Sequence, residues 1–123
     1  MRIIVAGTLR FAGDASLCSE IIRGGADPIA SSREEAGCAA YNWAVDPLDP
    51  GLIHVYEEWE SERALLSHFA HSSYAAMRDH LGRYELTGFA VQIYSAAGVE
   101  PVYDEDGSPR KEIFGVTLNP PEG

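Results

Sequence analysis

No stretch of this 123-residue chain approaches the roughly 18 uninterrupted apolar residues that a membrane span needs. The N-terminus, MRIIVAGTLRF, alternates like a strand and carries neither the apolar block nor the small-residue cleavage site of a secretory signal. A cytoplasmic protein with no membrane partner is therefore expected. Cysteine is scarce. Cys18 and Cys38 stand in no metal-ligand spacing, and in a reducing compartment they read as small buried hydrophobes rather than a disulfide or a reactive thiol. Positive charge is also short, with nine Lys and Arg against nineteen Asp and Glu and a formal net charge of −10. That field repels phosphate backbones, and no basic cluster opposes it, which argues against a nucleic-acid partner. His54, His68 and His71 have no carboxylate at a spacing that completes a known metal site, so no metal is expected.

What remains is ordinary for a globular domain. Hydrophobic residues make up 46% of the chain and charged residues 23%, at a length that gives one domain and one core. Met1 to Phe11 is apolar on both faces, as a covered strand is. Gly13-Asp14 ends it, and Asp14 or Ser16 can cap a helix carrying Leu17, Ile21 and Ile22. Gly24-Gly25 interrupts that helix, and Asp27-Pro28 restarts it as a second piece reaching about Glu35. Gly37 stops it.

Cys38 to Val45 and Leu52 to Trp59 then read as two strands around the turn DPLDPG, an antiparallel hairpin with Tyr41 and Trp43 on one face and Asn42 on the other. Ser61 caps a helix presenting Leu65 and Phe69, with Ala64 and His68 near the same stripe. Ser72-Ser73 restarts it with Tyr74, Met77 and Leu81 inward, and Thr87 to Ala97 is the last strand. The order is α+β, a ferredoxin-like split βαββαβ with a four-stranded antiparallel sheet and helices on one face. The bare face needs cover, because Tyr41 and Trp43, or Ile53 and Val55, would otherwise meet water. A second copy supplies it most simply, giving a homodimer. Residues 1–97 form this domain. Residues 98–123 form an extended tail with Pro101, Pro109, Pro120 and Pro121, and its apolar patch at Ile113, Phe114, Val116 and Leu118 suggests docking on the dimer partner.

The segment from Tyr56 to Leu81 concentrates the chemistry-bearing side chains: Glu57, Trp59, His68, His71 and Tyr74 beside an apolar surface. A histidine is a base near neutral pH. Trp43, Trp59, Phe69 and Tyr74 can line a slot for a flat ring, and Tyr41, Tyr74 or Asn42 can donate to a developing oxyanion. Each has a plainer role. His68 can be a half-buried helix residue bonded to a neighbour, and Glu57 can orient His68 or pair with an arginine. Trp59 can be a core anchor, and Tyr41 and Tyr74 can simply pack. His54 and His71 read as solvent-facing.

Arg33-x-Glu35-x-Gly37-Cys38-x-x-Tyr41, followed by Glu57-x-Trp59-Glu60-Ser61-x-x-Ala64-Leu65-x-x-His68 and then Tyr74, resembles the antibiotic biosynthesis monooxygenase domain over residues 1 to 97. The resemblance implies a dimeric α+β barrel with a pocket between sheet and helices. It also implies oxidation of a quinol or anthrone-type aromatic substrate by O₂, without metal, haem or flavin. On that reading His68, Tyr74 and Glu57 are the catalytic candidates, and Trp59, Tyr41, Trp43, Asn42 and Phe69 shape the slot. Haem-degrading relatives use an Asn on the first strand where this chain has Gly7-Thr8, and a helical Trp and His where it has His68 and Met77 or Arg78. That activity is disfavoured. A proton-shifting isomerase or cyclase using the same base, or a dimer that binds a small ligand without chemistry, stay open.

Overall fold

The structure, a computed structural model, describes residues 1–118. Strand β1 (Arg2–Phe11) leads into helices α1 (Ala15–Gly24) and α2 (Ala26–Arg33), then the hairpin of β2 (Cys38–Val45) and β3 (Leu52–Trp59). Helices α3 (Glu62–Phe69) and α4 (Ser72–Leu81) follow, then β4 (Leu86–Ala96). The sheet runs β2-β3-β1-β4 with every pair antiparallel, so the ferredoxin-like expectation is met. Among the described residues no helix is long and apolar enough to cross a membrane.

Each helical layer is a broken helix, and the breaks follow from local chemistry. The Asp14 carboxylate accepts the Leu17 N–H at 2.9 Å and starts α1. Gly25 both closes α1, through bonds from its N–H to Ile21 and Ile22, and opens α2 by accepting from Ile29. The second piece therefore begins one residue before Asp27-Pro28. Pro28 falls in the first turn, where a missing N–H costs nothing. The piece ends at Arg33, short of Glu35. Ser61 caps α3 through the Ala64 N–H at 3.1 Å, and His71 caps α4 by accepting the Ser73 N–H at 3.0 Å.

Strand alternation assigns the two faces. Ile3, Val5, Leu9 and Phe11 of β1, Tyr41 of β2 and Ile53, Val55 and Trp59 of β3 are buried beneath the helices with Ile21, Ile29, Leu65 and Met77. This corrects the expectation for the bare face: Tyr41, Trp43, Ile53 and Val55 all point toward the helices. The uncovered face instead carries Ile4, Ala6, Thr8, Ala44, Tyr56, Ala90 and Tyr94, with Asn42, His54, Glu58 and Gln92 as its polar members. Its tyrosines are tied down by side-chain bonds, Tyr56 to Glu58 and Tyr94 to Gln92, each at 3.1 Å. At Gly7 a Cβ would stand 1.9 Å from the Ala90 carbonyl oxygen, so only glycine lets β1 and β4 pair closely there.

The tail folds on itself. Tyr103 bridges Pro109, and β5 (Glu112–Ile113) pairs with β6 (Val116–Thr117) around Phe114, whose φ is +47°. Glu100 holds this hairpin through Arg110 and the Phe114 N–H. Ile113, Phe114, Val116 and Leu118 remain exposed, so among the described residues the patch is largely uncovered. Pro120 and Pro121 lie outside the described residues.

Candidate functional site

Helices α3 and α4 cover β1 and β3 but leave the helix side of β4 partly open. The register sets Phe89, Val91 and Ile93 opposite Leu9, Gly7 and Val5, on the helix face, yet Phe89 is 67% and Ile93 58% exposed. Between that wall and α4 lies a cavity of about 560 Å³, a size suited to a small organic molecule. Its floor is Val5, Leu9, Phe11, Val55 and Val91, its far end Tyr41, Trp43, Glu57 and His68, and its roof Phe69, Tyr74, Met77 and Leu81. Arg78 and Tyr84 also line it.

His68 is 1% exposed and sits in an aromatic cage. Its ring lies 4.6 Å from Trp59, tilted by 31°, and 5.5 Å from both Tyr41 and Tyr74, edge-on. Phe69 closes the cage at 6.1 Å from His68 and 5.2 Å from Tyr74. The imidazole Nδ1 is 2.9 Å from Glu35 Oε2, which also accepts the Ser73 hydroxyl at 2.7 Å. The expectation that Glu57 orients His68 is therefore corrected: the carboxylate bonded to it is Glu35, from the loop after α2.

That loop explains the R-x-E-x-G-C stretch physically. Arg33 donates from Nε to the Tyr41 carbonyl at 2.8 Å and from a terminal nitrogen to Asn42 Oδ1 at 3.1 Å, pinning the end of α2 to β2. Gly37, at φ +84°, takes a conformation costly for other residues, and a Cβ there would lie 2.6 Å from the Ala64 methyl. The chain thus passes tightly over the first turn of α3, where the Gly37 carbonyl accepts the Glu60 N–H at 2.8 Å. This close passage delivers Glu35 to His68 across 33 residues of sequence.

Glu57 lines the cavity, is 7% exposed and accepts the Trp59 indole N–H at 3.0 Å. Burial pushes its carboxyl up. The Trp59 bond and the nearby His68 pull the other way, and Glu35 adds to the rise. Burial likewise pushes the Tyr41 phenol up to about 12, so it stays a neutral donor. Of the remaining expected site residues, Trp43, Phe69 and Tyr74 line the cavity, Phe69 at 40% exposure rather than fully inward. Two do not reach it. Trp59 is wholly buried behind His68, and Asn42, by strand alternation, points from the opposite face of the sheet to Arg33.

His54 is exposed and pairs with Asp46 at 2.7 Å, which holds that carboxyl down at about 2. His80, not singled out from the sequence, is buried and bonds the Ile21 carbonyl at 2.7 Å, joining α4 to α1. Among the described residues no group of three or more His, Cys, Asp or Glu side chains is arranged to hold a metal ion.

Residues 19–80 match the family model described as antibiotic biosynthesis monooxygenase. No curated protein matches the chain. Among solved structures, one from Deinococcus radiodurans that bears the same family name is 22% identical, with a TM-score of 0.70 over 85% of this chain and 100% of that one. A protein of Mycobacterium tuberculosis is 22% identical, with a TM-score of 0.65 over 82% and 100%. One from Nitrosomonas europaea, again bearing the family name, is 14% identical, with a TM-score of 0.66 over 78% and 90%. At these identities the structural likeness speaks for the fold.

The Glu57 shift has a sign that can be measured. Its carboxyl is raised above the ordinary 4.5, so the folded state binds this proton more tightly than the unfolded chain. The group's contribution to stability is complete below 4.5 and is lost as pH rises through the raised value. Glu57→Gln keeps an oxygen for the Trp59 N–H and carries no charge. Urea unfolding is expected to show the variant gaining on the wild type as pH rises above 4.5. A difference that does not change with pH contradicts the assignment.

Proposed function

Taking as premise that the chain belongs to the antibiotic biosynthesis monooxygenase family, we propose that it is a cofactor-independent monooxygenase acting on a quinol or anthrone-type aromatic with O₂. The observation that carries this reading is a buried imidazole in a cavity walled mainly by aromatic and aliphatic side chains, with Glu57, Arg78 and Gln92 as the other polar residues of its lining.

O₂ is a triplet and reacts slowly with closed-shell molecules. An anthrone that loses a proton becomes an electron-rich anion able to pass an electron to O₂ directly. His68 takes that proton. The flat ring lies along Val91 and Phe89 beneath Tyr74, held by dispersion and exclusion of water. Tyr41, a neutral phenol because burial opposes its ionisation, and Tyr74 are the donors at hand for the oxygen that gains charge. After the anion and O₂ combine, the peroxide takes the proton back and loses water. The substrate CH₂ becomes C=O, one oxygen atom enters the product and the other leaves as water. The substrate supplies all four electrons, so no external reductant is required.

We also infer that the 1–97 domain works as a homodimer, with the 98–123 segment as an arm on the partner. Support comes from the small and apolar residues on the uncovered sheet face and from the exposed patch on the β5–β6 hairpin. A Phe114→Asp, Val116→Asp variant is expected to sediment at a lower mass than the wild type at micromolar concentration. A monomeric wild type contradicts the inference.

Catalysis is tested with an O₂ electrode and a dihydroxyanthrone. His68→Gln can still donate to Glu35 and roughly fills the ring's space, but it cannot take a proton. Its O₂ uptake is expected to fall by about 10²-fold or more, with ligand binding retained. Unchanged uptake removes His68 from the mechanism, and proton exchange into the substrate without O₂ uptake replaces oxidation by isomerisation.

A further inference from the structure

A histidine can serve as a base at the cavity only if the nitrogen facing the cavity is bare. A neutral imidazole carries one proton, and the partner of the other nitrogen decides where it sits. In His68 the bonded nitrogen is Nδ1, and its partner is the carboxylate of Glu35 at 2.9 Å, a residue outside the cavity lining to which His68 belongs. Glu35 is 8% exposed, and the same oxygen already accepts from the Ser73 hydroxyl, itself 3% exposed. Ser73 is fixed in turn by the α4 cap, its N–H donating to His71 Nδ1 at 3.0 Å. Glu57, Tyr41 and Tyr74 are the other polar groups around the ring. One Glu57 oxygen accepts from the Trp59 indole, and the two tyrosines present ring edges or faces.

We propose that Glu35 is the positioning residue of the site. It accepts the Nδ1 proton of His68, leaves Nε2 bare toward the cavity, and supplies the negative charge that balances the imidazolium while His68 holds the substrate's proton. Ser73 sets the carboxylate's orientation. The step moves one proton from substrate carbon or oxygen to Nε2 and, after O₂ has added, from Nε2 back to the peroxide. No electron passes through the dyad. The catalytic part of this assignment rests on the monooxygenase reading, whereas the tautomer part does not.

The test therefore has two arms. Long-range ¹H–¹⁵N spectra of the substrate-free protein read the His68 tautomer directly. The wild type is expected to carry its proton on Nδ1. Glu35→Gln is expected to populate both tautomers, because an amide can accept from Nδ1–H or turn and donate to a bare Nδ1. A wild-type proton on Nε2 overturns the proposal. In the second arm, Glu35→Gln is expected to lower kcat about 10²-fold with KM within about threefold, and Glu35→Asp to recover part of the loss. Equal kcat in wild type and Glu35→Gln overturns the positioning role. If the wild type consumes no O₂ while its proton sits on Nδ1, the oxidation reading fails and the tautomer assignment stands.

Discussion

The hydrogen bond between Glu35 and His68 is the constraint on which the site depends. Burying an imidazole and a carboxylate is costly unless each is paired, and here each is the other's partner. Ser73 donates to the same Glu35 oxygen, and Trp59, Tyr41 and Tyr74 pack around the imidazole. Take away the close passage of Gly37 over Ala64 and Glu35 no longer reaches α3. The backbone turn, the dyad and the cavity end are thus one structural unit assembled from three separate stretches of chain.

The second carboxylate gives the site its polarity. Glu57 stands on the sheet side with an indole donor, and burial pushes it toward its neutral form. Glu35 stands on the helix side and accepts two bonds. Two carboxyl groups near one histidine would compete if their surroundings were alike. Their different partners separate the roles, and pairs of titratable groups in contrasting environments are a recurrent feature of acid–base sites.

Much of this was legible in the sequence, and the reasons are specific. The two apolar faces of Met1–Phe11 marked the central strands, the turn DPLDPG marked the hairpin, and Asp14, Ser61 and Gly37 marked helix boundaries that depend on local bonds alone. His68, Tyr41, Trp43 and Tyr74 were recognisable because alternation and helical spacing place them on the inner side. Glu35 was visible as part of a motif but had no readable role, since its bond to His68 depends on how a turn docks 33 residues away. Asn42 was placed in the slot although alternation set it on the opposite face from Tyr41, and the structure follows the alternation. The openness of β4 was also hidden: its apolar residues look like core, and only the placement of α4 leaves Phe89 and Ile93 uncovered.

The central claim is that a flat aromatic molecule enters this cavity and presents an acidic proton to His68. A crystal structure with an anthraquinone, which has the shape of the product and does not react with O₂, tests it most directly. The account predicts the rings between Val91 and Tyr74, with an oxygen or the central carbon position within about 3 Å of the imidazole. Rings bound elsewhere, or a cavity that stays closed to the molecule while it binds the surface, would contradict it.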